Sequence, residues 1–330
     1  MKPSPAAILK RAQVPALLIS NLMNIRYLTG LKFTSALILV YKNKITLFVD
    51  ARYTEMATTR APAHIKVRSP EELIKTLKKI KKCGIESDDV TISRLTLWKK
   101  KFKGTKFVHK EGIIEHFRRS KDAEELKLMK HAHSITEKIL KRIPSALKTG
   151  MTELQMAWKI ETWAKELGSE DMSFESIVAF GPHTSRPHHR PTDRKLKKGE
   201  IVQIDIGASY HGYCSDRSAV YFTGPLTQKQ ADALAAVVEA KETAKKAAKK
   251  GASVRKLDQI ARDVLKEHGM AEAFTHSLGH GVGLDIHEGI NLSVRAPDDH
   301  LLSGEVITIE PGVYFPGKFG IRLEDLVFVR

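Results

Sequence analysis

Apolar residues follow two rhythms along this chain. Ala16-Leu-Leu-Ile-Ser20, Ala36-Leu-Ile-Leu-Val40 and Ile45-Thr-Leu-Phe-Val49 are short runs rich in branched residues and bounded by turn formers, and they predict strands. Residues 70–82 and 91–101 take the helical period, with Leu73, Leu77 and Ile80 on one face. Cys83–Glu86 and Lys106–His109 read as short strands between and after them, so residues 1–118 predict a small α/β domain. A long helix is predicted from Ser120, as N-cap, to about Arg142, because Pro144 disfavours helical geometry before it. A second helix follows over 153–167. Beyond it, strands at 177–180, 201–207, 213–222, 305–309 and 321–329 mix with helices at 228–250 and 254–268, which predicts an α+β domain over 119–330.

Composition narrows the class. A hydrophobic content of 42% and a charged content of 28% over 330 residues exclude disordered and fibrous chains. The apolar run Ala36–Tyr41 falls far short of the ~20 residues of a membrane span. The N-terminal stretch, broken by Lys10, Arg11 and Gln13, carries no secretory apolar region. Two cysteines, Cys83 and Cys214, make no disulfide framework, and a cytoplasmic address is expected.

The net charge of +17 suggests nucleic acid until it is located. Residues 1–118 hold 24 Lys and Arg against 9 Asp and Glu, and the remainder hold 31 against 29. Much of the N-terminal excess lies in Lys75–Lys82 and Lys99–Lys103. The first run fits the wet side of an amphipathic helix, and neither run has the interleaved aromatics of a single-strand binder. No nucleic-acid partner is expected.

Carboxylate positions carry the chemistry. Around Ile204-Asp-Ile-Gly-Ala-Ser-Tyr-His-Gly-Tyr-Cys-Ser-Asp216, folding between Tyr210 and His211 sets Asp205 opposite Asp216. Around Pro316-Gly317, folding sets Glu310 opposite Glu324. A lone acid at a strand end is ordinarily solvated or salt-bridged. Four acids in two mirrored pairs repel unless cations lie between them, and two-metal sites space their ions about 3.5–4 Å apart. His276-Ser-Leu-Gly-His280-Gly-Val-Gly-Leu-Asp-Ile-His287 adds three imidazoles in a glycine-rich loop, one as a metal ligand and one or two lining the site. Leu284 breaks a dinucleotide-binding glycine pattern, and Ser277 stands where a helical zinc-protease motif needs glutamate. Arg186-Pro-His188-His189-Arg-Pro supplies further imidazole.

In order and local context, Asp205, Asp216, His280, Glu310 and Glu324 resemble the five-ligand dinuclear site of the methionine aminopeptidase and prolidase family. The strings Gly-Tyr-Cys-Ser-Asp216, His280–Glu288, Ile309–Tyr314 and Gly320–Asp325 are similar to its proline-directed branch. Asn24-Ile-Arg-Tyr-Leu-Thr-Gly30 and Asp50-Ala-Arg-Tyr53 resemble that branch's N-terminal domain. The resemblance implies a C-terminal pita-bread (creatinase/aminopeptidase) domain over 119–330 after a smaller creatinase-like α/β domain over 1–118. It implies two divalent ions per chain, manganese first, with cobalt, zinc or iron as alternatives. By the same resemblance Asp205 and Asp216 bind one ion, His280 and Glu310 the other, and Asp216 and Glu324 bridge.

Glu310 is then the proton shuttle, and His188 and His287 contact substrate and the developing oxyanion. His276 and Arg322 support the substrate site. Three departures stand out: Ser218-Ala-Val220 replaces a Thr-Arg-Thr, His189 replaces a small residue, and the chain stops at Arg330, where relatives continue.

The expected activity is an Xaa-Pro aminopeptidase removing the residue before a proline from small peptides. One alternative is an Xaa-Pro dipeptidase (prolidase), with Arg295 as the cation for the free substrate carboxylate. Another is a catalytically inactive pita-bread binding module with a basic N-terminal domain. The resemblance also implies a homodimer.

Overall fold

The structure, a computed structural model, describes residues 2–330, which cluster into two compact units, one through Arg118 and the other from Arg119. The first unit holds α1 (Pro5–Ala12), β1 (Ala16–Ile19), α2 (Leu22–Thr29), β2 (Leu37–Tyr41), β3 (Lys44–Phe48) and α3 (Ala51–Arg60). It continues through β4 (Ile65–Arg68), α4 (Pro70–Leu77), β5 (Lys82–Glu86), α5 (Ile92–Lys101), β6 (Lys106–Lys110) and all but the last residue of α6 (Ile113–Arg119). Its strands form one mixed sheet in the order β4-β3-β2-β1-β5-β6.

The predicted helix over 70–82 ends at Leu77, and Ile80 stays buried in the turn that follows. The lysines from Lys78 onward therefore flank a turn and open a strand. Asn21 and Asp50 cap α2 and α3 with their side chains, two helices the apolar rhythm alone does not predict.

The second unit begins with α7 (Ala123–Ala146), α8 (Glu153–Glu166), β7 (Asp171–Met172), β8 (Ile177–Phe180), β9 (Ile201–Ile206), β10 (Ala208–Tyr210), β11 (Tyr213–Cys214) and β12 (Arg217–Phe222). It closes with α9 (Gln228–Ala247), α10 (Val254–Glu267), β13 (Gly279–His280), β14 (Asn291–Leu292), β15 (Val306–Ile309), β16 (Gly312–Phe315), β17 (Phe319–Arg322) and β18 (Asp325–Phe328).

Helix α7 differs from its predicted span at both ends. Asp122, not Ser120, is the cap, and it closes a capping box with Glu125. The helix also runs through Pro144. Proline removes the hydrogen bond to the carbonyl four residues back, and that carbonyl, on Leu140, accepts the Tyr221 hydroxyl at 3.0 Å instead.

Two cores hold this unit. Ile135, Ile139 and Ile143 of α7 and Ile160 of α8 pack with Val178, Val202, Ile204 and Ile206 of the β8-β9-β12 sheet. Helix α9 buries Ala233, Ala236, Ala240 and Ala244, small side chains that let α10 approach, in the cluster containing Ile307, Ile309, Val313 and Ile321. Every residue of β9 is buried, and Gln203 and Asp205 are its polar members. A fully buried strand thus carries Asp205, while Asp216, Glu310 and Glu324 sit in the short breaks between strands.

Candidate metal centre

The two hairpins deliver their acids differently. His211 and Gly212 both have positive φ, 48° and 85°, the signature of a two-residue type I′ turn. This moves the fold centre one residue beyond the predicted one. Asp205 therefore pairs with Ser218, not with Asp216. Because a strand repeats every two residues, the slip of two preserves the face, and both aspartates line one cavity. Between the ladders the backbones close tightly: a Cβ at Gly207 would meet the Ser215 carbonyl at 1.9 Å.

The second hairpin has the predicted register. Phe315 pairs with Phe319 and Gly312 with Arg322, and the same register resumes at Ile309 with Asp325. Glu310 and Glu324 sit opposite one another where the ladder is interrupted. Their N–H groups leave it, Glu310 donating to Leu278 O at 2.8 Å and Glu324 to Ser218 O at 3.2 Å. The interruption ties the loop before His280 and the strand after Asp216 to this hairpin.

A cavity of about 680 Å³ is lined by all of the predicted site residues: Asp205, Asp216, His280, Glu310, Glu324, His188, His276, His287 and Arg322. Ligating atoms of Asp216, His280 and Glu324 lie within 4.8 Å of one another. His280 Nε2 is 3.5 Å from Asp216 and 3.4 Å from Glu310. Its Nδ1 faces the Gly281 carbonyl at 3.1 Å, which accepts only, so Nδ1 holds the proton and Nε2 presents a lone pair. Burial, with His287 adding to it, pulls the His280 pKa down to about 4, so the ring is neutral. Thr308 Oγ1 accepts from the His280 N–H and donates to Glu310.

The acids are short of positive charge. Burial first, and then Glu324, Asp205 and Glu310, push Asp216 well above the carboxylate range. Glu324 rises well above its usual value through burial and then Glu310 and Asp205. Glu310 is pushed up to about 8, chiefly by burial, with Arg322 opposing and Asp205 adding to the rise. Asp205 Oδ1 is buried with no hydrogen-bond partner, while Oδ2 takes Arg322 Nη2 at 2.5 Å. A cation satisfies all of these demands together, and oxygen donors with one imidazole suit a divalent transition metal. The residues fit a divalent metal centre.

Several contributors escape sequence reading. Tyr314 OH accepts from Arg322 Nη1 at 2.8 Å and lies 2.9 Å from His276 Nε2. Ser218 Oγ accepts from Arg322 Nε and donates to Glu324, so it occupies the position of the lost threonine with an active role. Gln203 accepts the Arg322 backbone N–H.

Glu153, His183 and His189 form a second cluster of metal-ligating types. Its acceptors are already taken: Glu153 receives Phe180 N–H and both histidines at 2.9 Å, and Thr192 N–H and O–H at 3.0 and 2.6 Å. It is a hydrogen-bond hub, and it turns His189 down into the protein. Burial opposes the charge on Glu153, but His189, Thr192 and Phe180 hold its pKa down at about 2. This stabilisation is present above the usual value of 4.5 and lost as pH falls from there toward 2. Glu153→Ala is expected to cost about 3–5 kcal/mol, seen as a lower urea midpoint at unchanged slope.

Residues 127–330 match metallopeptidase family M24, and residues 6–120 match the creatinase/prolidase N-terminal domain. The chain belongs to family M24. This peptidase is 34% identical to the Xaa-Pro dipeptidase of Pyrococcus horikoshii over 96% of its own length and 90% of the relative's. The Xaa-Pro dipeptidase from Bacillus anthracis superposes with a TM-score of 0.94 at 30% identity, covering 99% of this chain and 94% of that one. The X-Pro aminopeptidase from Thermotoga maritima superposes at 0.89 with 33% identity, over 98% and 94%. The fold is therefore the pita-bread domain preceded by a creatinase-type domain, and the protein is a metallopeptidase hydrolase of the prolidase type. The relatives' names favour the dipeptidase over the expected aminopeptidase.

Proposed function

We propose that this M24 peptidase is an Xaa-Pro dipeptidase, with two divalent cations held by Asp205, Asp216, His280, Glu310 and Glu324. The observation that carries the reading is three buried acids, Asp205, Asp216 and Glu324, and the half-buried Glu310 converging on one neutral imidazole, one acid oxygen being left without a partner. The cations, when bound, would neutralise the acids and make a shared water far more acidic. Glu310 takes the proton of the attacking water and passes it to the proline nitrogen as the C–N bond breaks. His188 and His287 face the carbonyl oxygen of the scissile bond as it gains charge. Arg322, locked between Asp205, Ser218 and Tyr314, keeps the Asp205 carboxylate oriented, and Tyr314 fixes the His276 ring.

Manganese is the metal we propose first. A cytoplasmic setting fits the two buried free thiols, and among the described residues no helix is long and apolar enough to cross a membrane. A homodimer belongs to the same proposal, to be tested by solution mass. The deciding assay compares Ala-Pro with Ala-Pro-Ala against Mn²⁺, Co²⁺ and Zn²⁺. Dipeptide cleavage well above tripeptide cleavage is the expected result. A preference for the tripeptide would return the aminopeptidase.

A further inference from the structure

A dipeptidase must tell a free carboxylate from a continuing peptide, which calls for a cation at the far end of the substrate. Arg295 is exposed and does not line the cavity. Among the described residues that do, only Arg190 and Arg322 carry a permanent positive charge. Arg322 is buried and committed to Asp205. Arg190 is free to act: its side chain is 82% exposed, and its ion pair with Glu175, at 3.4 Å, is itself exposed and so weakly held.

The backbone that carries Arg190 is not loose. On one side, Arg322 Nη1 donates to Pro187 O at 3.2 Å, and on both sides Glu153 anchors the loop through His189 and Thr192. With His189 tied inward, its exposed neighbours His188 and Arg190 stand together at the cavity wall. An imidazole for the scissile carbonyl and a guanidinium beyond it are thus presented by one pinned loop. The planar guanidinium fork matches a carboxylate in two parallel hydrogen bonds.

Resting on the dipeptidase reading, we propose that Arg190 binds the C-terminal carboxylate of the Xaa-Pro substrate, exchanging Glu175 for it, and thereby sets the preference for dipeptides. The test is steady-state kinetics of the full-length wild type, R190Q and R190K with Mn²⁺, on Ala-Pro and on its C-terminal amide. The amide keeps every group except the charge. R190Q should raise KM for Ala-Pro roughly 10- to 100-fold, the span of a lost charge-assisted pair, with kcat little changed. KM for the amide should not move, and R190K should recover part of the loss. An equal loss on both peptides would reduce Arg190 to a support of the loop and overturn the anchor, as would an unchanged KM for Ala-Pro. A wild type that splits neither peptide would instead sink the dipeptidase reading itself.

Discussion

Glu310→Gln should fold normally yet turn over Ala-Pro about 10³-fold or more slowly, within the span general acid–base catalysis supplies. The substitution preserves shape, and the amide oxygen can still accept the Thr308 hydroxyl that Glu310 accepts at 3.2 Å. What it removes is specific. A glutamine neither carries charge to a cation nor takes a proton from water and returns it to the leaving nitrogen. Both roles fall on one side chain because the second hairpin opens its ladder at Glu310, freeing that carboxylate to face Asp216, Glu324 and His280 together. Stopped-flow or steady-state kcat, metal content by elemental analysis and a circular-dichroism melt separate the contributions. Full metal content with lost turnover isolates the proton transfer, whereas loss of one metal equivalent assigns the ligand role. Activity within tenfold of wild type would remove Glu310 from the mechanism.

The acids were readable before the structure because hairpin arithmetic is local. The second hairpin needed only the Pro316-Gly317 turn, and its register follows. The first was misplaced by one residue at its centre, since the His211-Gly212 pair is a weaker turn signal than the Asn-Gly that usually marks type I′. Strand parity absorbed the error. Long-range partners are not readable at all: nothing near Ser218 in sequence announces that it braces Arg322. The part His189 plays is hidden for the same reason. Its role depends on Glu153, 36 residues earlier at the start of α8, and only the folded chain reveals that hub. The end of α7 was missed because the cost of Pro144 is met by Tyr221, on a strand distant in sequence.

Removing the metal should make stability fall as pH rises, and restoring it should cancel that fall. In the metal-free fold, Asp216, Glu310 and Glu324 hold protons above the ordinary carboxyl range, Glu310 up to about 8. Between about pH 4.5, where such acids titrate in the unfolded chain, and pH 8, the folded state therefore binds more protons than the unfolded one. Its unfolding free energy must decrease with pH across that window. Cations compete for the same oxygens, so loading should release protons and stabilise more at pH 8 than at pH 5.5. At a thousandfold excess over Kd the gain is about 4 kcal/mol, or roughly 10 °C in Tm for a unit of this size. His280 does not oppose loading, because its pKa near 4 leaves Nε2 unprotonated at both values. Melting curves with chelator and with Mn²⁺ at the two pH values read the difference directly. A metal-induced shift that is equal at both, or larger at pH 5.5, would mean that the ions do not replace protons on these carboxylates and that the centre lies elsewhere.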